Sequence, residues 1–388
     1  MPRFKHLLSI ALPLFALSAC GSSDGAAPDA SVTDASIDAP ADASSDAVTD
    51  APSDAPTDSA TDAPSQRPVA WTAIAGAPMG PAARWGYMVA PVGDGTAYVY
   101  GGTTLLNTGS GTVSNELWLV DGRTSTPTFT RLTVTGAPPP RYCGCLAYIP
   151  ASRTVLMIGG RNPSEAPAET WALPLDTMAW SRVMVPSTPG GVIGCAMGWS
   201  TARGALFHFG GGAQSTGFSA ITSRFDPEGP RWVTVEATGP RGRYDDAFVP
   251  LPDGRRFVMT AGARGATAGP AFLNDTWIFD AMAETWEQVM TEGEAPAGRR
   301  NPWISVDRDG QGFLMAMGST GIQPGEVLSD TWHLDLTTRR WTNLDLETLP
   351  DARGFITAIP GTGSVRGFLM GGFDNERVLR DVWQLAER

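Results

Sequence analysis

Histidine is almost missing from this chain. Three occur in 388 residues, and beyond the N-terminal stretch only His208 and His333 remain. That scarcity excludes a histidine-rich metal cluster, a Ser-His-Asp triad and a Cys-His nucleophile pair, each of which needs an imidazole among set partners. There is also no P-loop, no G-x-S-x-G elbow and no C-x-x-C pair, so no catalytic residue, metal or cofactor is expected. Both histidines fall in apolar strand-like runs and read as ordinary strand residues. Long apolar runs are lacking too. The N-terminal one covers only residues 7–19 and contains Pro13, too short for an ordinary membrane-spanning helix. Excess positive charge is absent as well: the net charge is −12, which gives no reason to expect a nucleic-acid partner.

That charge is unevenly placed. Arg3 and Lys5 precede the apolar run, the layout of a secretory signal over 1–19. Residues 21–66 hold ten Asp and no Lys, Arg or Glu, which leaves only −4 on residues 67–388. From Asp34 to Asp62 an Asp falls at every fourth position. Pro40, Pro52, Pro56 and Pro64 break any helix that this period might suggest, and Asp, Ser and Thr are poor helix formers. Self-repulsion and the want of apolar residues make 20–66 an extended, disordered tether. The junction Leu17-Ser18-Ala19-Cys20-Gly21 resembles the lipobox of bacterial lipoproteins. The resemblance implies cleavage before Cys20 and lipidation of its thiol. With Gly21 following, it also implies an outer-membrane address, on the periplasmic or cell-surface face. Several acyl chains on one residue give stable attachment.

What the chain does have is repetition. Six apolar runs end in glycine, at Gly102, Gly160, Gly211, Gly262, Gly318 and Gly372, spaced 51 to 58 residues apart. After a loop of variable length each is followed by an aromatic in a second apolar run: Trp118, Trp171, Phe225, Trp277, Trp332 and Trp383. A further aromatic follows at Phe129, Trp180, Trp232, Trp286 and Trp341. This pattern resembles the kelch repeat. It implies an all-β fold, a six-bladed propeller of four-stranded blades over 67–388. The sixth unit ends without its last aromatic, and Val69-Ala70-Trp71-Thr72 supplies it, so the ring is expected to close through the N-terminal strand. Asp121, Asp176, Asp226, Asp280 and Asp335 suit turns after the third strand.

The kelch resemblance also places the candidate site residues. An arginine recurs just before the first strand at Arg84, Arg141, Arg243, Arg300 and Arg353, and two more follow the glycine runs, Arg161 and Arg264. In kelch propellers these loops open on one face near the axis. The arginines therefore either brace neighbouring loop carbonyls or ring a mouth able to bind carboxylates. Asp245 and Asp246 begin the inner strand of blade four, as ligand contacts or arginine partners. Cys143, Cys145 and Cys195 lie on the inner strands of blades two and three, so a bridge from Cys143 or Cys145 to Cys195 is expected. Asp307-Arg308-Asp309-Gly310 reads as a hairpin turn rather than a calcium loop.

Three functional classes remain open on this reading. The leading one is a lipid-anchored, monomeric propeller acting as a binding or interaction module for an acidic glycan or a protein partner. The second is a sugar-acting enzyme resembling exported kelch-type sialic-acid mutarotases. The third is a structural envelope scaffold. Galactose oxidase shares the architecture, but its copper ligands have no counterpart here.

Overall fold

The computed structural model describes residues 68–76, 80–105, 111–189, 192–213, 217–264, 271–321 and 326–388. The signal at 1–19, Cys20 and the tether to residue 66 lie outside them. The described residues form six four-stranded antiparallel sheets, with one short 3-10 turn at Pro150–Ser152. Blades one to five run consecutively, over 85–132, 145–183, 196–235, 247–289 and 303–343. Blade six takes three strands from 357–387 and its outermost strand, Val69–Ala73, from the other end of the chain. That strand pairs antiparallel with Val382–Glu387, Val69 opposite Glu387 and Ala73 opposite Trp383. The first strands of adjacent blades touch one another all the way round, so they surround the axis.

Each blade is covered on both faces, which explains why the second strands read as unbroken apolar runs. In blade four, Phe257, Val258 and Met259 are all buried. The outer strand faces water on one side, and Thr285–Val289 is accordingly half polar. In three blades the outer tryptophan is hydrogen-bonded to the blade before it. Trp232 Nε1 donates to Thr170 Oγ1 at 3.2 Å, Trp286 Nε1 to Thr222 Oγ1 at 2.9 Å, and Trp71 Nε1 to Thr331 Oγ1 at 3.1 Å. Trp71 thus does for blade six what Trp286 does for blade four, although some 300 residues of sequence separate it from its sheet.

The glycines build a second ring. The last residue of each glycine run donates its N–H to a carbonyl of the next blade: Gly102 to Arg141, Gly160 to Val192, Gly211 to Arg243, Gly262 to Arg299, Gly318 to Arg353, and Gly372 back to Arg84, over 2.8–3.3 Å. Reaching that carbonyl brings the preceding residue very close to it. A Cβ on Gly159 would lie 2.2 Å from Val192 O, with φ at +64°. Glycine meets both demands most easily and fills four of the six equivalent positions, whereas Ala261 and Met317 hold the other two at φ +64° and +60°.

Two expectations change in detail. Phe225 does not align with the tryptophans of the third strand, because Thr222 pairs with Phe209 as Thr276 pairs with Thr260. Ser223 therefore occupies the tryptophan position in blade three, and Phe225 matches Phe279. Asp121, Asp226, Asp280 and Asp335 do accept backbone N–H groups two or three residues on, at 2.8–3.2 Å. Asp176 instead meets Arg153 Nε at 3.2 Å.

Candidate functional site

The recurring arginine is a framework residue. In blade two, Arg141 donates Nε to Pro139 O at 3.1 Å, Nη1 to Gly159 O at 3.0 Å and Nη2 to Glu169 Oε2 at 3.3 Å. Arg243 repeats the set with Arg241 O, Ala261 O and Asp275, the last at 2.8 Å from Nη2 to Oδ2. Arg353 repeats it again with Asp351 O, Gly371 O and Asp381. Arg84 Nη1 lies 2.7 Å from Glu116. Each of these carboxylates also accepts the Nε1 of the tryptophan two residues on, as Asp275 does from Trp277 at 2.8 Å. The side chains of Arg243 and Arg353 are fully buried. Of the two readings that the sequence leaves open, the contacts of these arginines are those of bracing: a carboxylate of the same blade pairs with Arg84, and loop carbonyls and a carboxylate take up donors of Arg141, Arg243 and Arg353.

Blade five corrects the register as well. The clamp there is Arg299, which donates to Ala297 O, Met317 O and Asp330. Arg300, one position on, aligns with Trp85, Tyr142 and Tyr244 and serves a different purpose. Its Cζ lies 4.8 Å from the centroid of the Phe355 ring. Its Nη1 is 3.4 Å from Tyr244 Oη and 3.8 Å from Asp245 Oδ2, and its Nη2 is 3.3 Å from Gly321 O.

Next to that arginine the chain runs closest to the axis. Cys143, Asp245, Asn301 and Phe355 all hold positive φ, as do Gly86 and Gly194 at the matching positions. Backbone hydrogen bonds link them from blade to blade, Cys143 to Gly86, Gly194 to Cys143, Asp245 to Gly194 and Asn301 to Asp245, over 2.6–2.8 Å. Non-glycine residues in this conformation are uncommon and gather at functional sites.

Two arcs of side chains meet around this inner ring. On blades one, two and six, Trp85 packs against Tyr142, Phe355 and Phe373 with centroids 5.1–5.7 Å apart, and its Nε1 reaches Leu105 O at 2.7 Å. On blades four and five sit Tyr244, Asp245, Asp246, Arg300 and Asn301. Asp245 Oδ2 and both oxygens of Asp246 are buried with no hydrogen-bond donor among the described residues. Burial drives the Asp245 carboxyl up to about 7, against the attraction of Arg300 and a hydrogen bond from Asn301. It drives Asp246 up to about 7 against the pull of Arg243 and a weak contact with its own backbone N–H, with the charges of Asp245 and Asp275 adding to the rise. The Asp246 side chain stands between Gly210 and Gly262, in a slot between blades that Tyr87 and Ile356 fill elsewhere.

Of the outgoing-loop arginines, Arg161 pairs its backbone with Tyr142 and holds its guanidinium 6.0 Å from that ring. Arg264 lies on the short strand Ala263–Arg264. Neither has a carboxylate partner among the described residues. Cys145 is bonded to Cys195. His208 is buried against Trp232, and His333 Nε2 lies 2.7 Å from Asp307 Oδ2. No group of three His, Cys, Asp or Glu able to hold a metal occurs among the described residues. Reasoning from sequence missed Arg299, Asn301, Tyr244 and the aromatic arc. The signal for Arg299 was the acid-x-Trp spacing that accompanies each framework arginine.

Comparison with known proteins agrees with this construction. The KLHDC2/KLHL20/DRC7 Kelch-repeats domain family matches residues 184–372. Rab9 effector protein with kelch motifs from Danio rerio is 29% identical over 191 residues, 47% of this chain and 51% of that protein. Adagio protein 3 from Arabidopsis thaliana is 28% identical over 227 residues, 56% of this chain and 33% of that protein. The chain thus spans about half the length of these curated relatives or less. The solved structure of YjhT superposes with a TM-score of 0.59 at 15% identity, covering 79% of this chain and 95% of that one. At that identity the likeness is one of fold.

Proposed function

We propose that this propeller of kelch repeats is an exported binding module, tethered to the outer membrane through a lipidated Cys20. Its ligand sits at the axial mouth, among Asp245, Asp246, Arg300 and the Trp85 arc. The observation that carries the reading is the set of buried carboxyl oxygens, Oδ2 of Asp245 and both of Asp246, that have no well-formed hydrogen bond among the described residues. Such groups are costly unless a partner satisfies them, and buried acids with displaced pKa values gather at functional sites. Donors on a bound ligand would pair with these oxygens, while Arg161, Arg264 and Arg300 would meet acidic groups. An acidic glycan or an acidic segment of a partner protein fits both halves. Kelch propellers commonly bind proteins, and one relative carries the description of a Rab9 effector. The same carboxyls favour a second reading, a sugar-acting enzyme, because an acid near 7 suits general acid–base work at neutral pH.

A glycan and peptide array probed with residues 67–388 is expected to give acidic hits. Asp246→Asn should weaken their binding about tenfold or more, the scale of one hydrogen bond to a charged group. Undiminished binding by a folded Asp246→Asn protein would sink the assignment of the site, and turnover of an array sugar would favour the second reading. The anchor is tested separately. Wild-type chain should stay with washed membranes and Cys20→Ser should leave them; a variant retained on the membrane refutes lipidation.

A further inference from the structure

Five of the six junctions between adjacent blades rest on an arginine clamp, and the exception is informative. The clamp arginine offers its backbone carbonyl to the preceding blade while its side chain braces the loop that carries it. Arg243 serves the junction of blades three and four in this way, and Arg141 that of one and two. At the junction of blades two and three every member of the set is changed. Val192 stands for the arginine, Ile221 for the carboxylate and Ser223 for the tryptophan. The backbone bonds across this seam persist, Gly160 N to Val192 O at 2.8 Å and Gly194 N to Cys143 O at 2.7 Å. Register is therefore kept, but among the described residues no polar side chain braces the loop at Val192, whose own side chain is apolar and buried.

A covalent bond crosses the same seam. Cys145 on the inner strand of blade two is joined to Cys195, which leads into the inner strand of blade three, with Cα atoms 5.7 Å apart. Cys195 stands at the position that Tyr87, Asp246, Pro302 and Ile356 hold at other junctions. The one junction without a clamp is thus the one with this cross-link. We infer that the Cys145–Cys195 disulfide replaces the missing clamp and makes the blade two–three seam the redox-sensitive latch of the ring.

The chemistry balances with a dithiol reductant. It gives two electrons to the S–S bond, both sulfurs become thiols, and the reductant closes into its own disulfide. The seam then keeps its backbone hydrogen bonds, its apolar packing and the bond from Trp232 Nε1 to Thr170 Oγ1. Blade two also carries Tyr142 and Arg161 to the mouth, so loosening the seam loosens that side of the site. The oxidised latch needs an oxidising compartment, in keeping with export.

The test uses the full chain and replaces both cysteines of the bridge. Cys145→Ala with Cys195→Ala should lower the melting temperature by about 6 °C or more, given the 50-residue separation of the bridge. Hydrogen exchange should rise first on either side of the seam, around Tyr142–Cys145 and Val192–Ala196. Adding Val192→Arg and Ile221→Asp, which rebuilds the clamp of the other blades, should recover at least half of the lost melting temperature. An unchanged melting temperature in the double-alanine protein overturns the proposal. So does faster exchange spread evenly over all six blades. Should the rebuilt clamp fail to fold, the exchange pattern of the double-alanine protein decides alone.

Discussion

Replacing residues 69–74 by a Gly/Ser segment of equal length is expected to lower the melting temperature by about 10 °C or more, from a loss above roughly 5 kcal/mol. Trp71 carries most of this. It is 2% exposed, its ring packs edge-on against Trp303 at 5.2 Å, and its Nε1 bonds Thr331 in blade five. Truncating a buried tryptophan alone costs about 3–5 kcal/mol. Losing the strand also strips Val382–Glu387 of its outer partner, where Leu385 is fully buried and Gln384 nearly so. An unpaired apolar edge recruits other chains, so size-exclusion chromatography should show larger species than the intact chain gives. Trp71→Ala should reproduce about half of the thermal effect while keeping the edge paired and the elution of the intact chain. A replaced segment that leaves melting unchanged would mean that blade six is stable with three strands and that closure is incidental.

The architecture was legible because its signals are repeated. One glycine-ended apolar run says little; six in register, with a stray tryptophan strand at the opposite end, define the blades and how they close. What escaped was register within a blade. Arg299 and Arg300 are adjacent, and only the spacing to the next acid-x-Trp, Asp330-Thr331-Trp332, shows which of them is the clamp. Blade three misled for the same reason. Phe225 is the nearest aromatic to the expected place, but its strand pairing puts Ser223 there. The site itself was half visible. Asp245 and Asp246 stand out as an acidic pair beside an inner strand, whereas the burial that leaves three of their four oxygens without a well-formed hydrogen bond among the described residues comes from neighbouring blades. The cation over Phe355 is likewise a contact across blades, which no local pattern encodes.

Arg243→Met separates the two parts that sequence alone left open for these arginines. If the guanidinium is framework, its removal should destabilise the fold by about 3–5 kcal/mol, the usual consequence of breaking one half of a buried pair. Two carbonyls, Arg241 O and Ala261 O, lose a donor, and Asp275 keeps Trp277 and a backbone hydrogen bond. Arg161→Met with Arg264→Met, which touch no carboxylate among the described residues, should stay within about 0.5 kcal/mol per residue of wild type. Urea unfolding at pH 7 measures both. The pH dependence then identifies the cause. Burial alone would raise the Asp275 carboxyl, but the hydrogen bond and charge of Arg243 outweigh it and hold the group below the usual carboxylate range. A carboxyl held low when folded contributes stability that is present above its unfolded pKa of about 3.9 and is lost as pH falls through the folded value. Without Arg243 most of that contribution is gone, and burial is opposed only by the hydrogen bonds from Trp277 and the backbone. The stability gap between wild type and Arg243→Met should therefore narrow as the pH drops below about 4. A gap that stays constant with pH would assign the loss to packing of the arginine stem, and no gap at pH 7 would return Arg243 to the ligand-binding mouth.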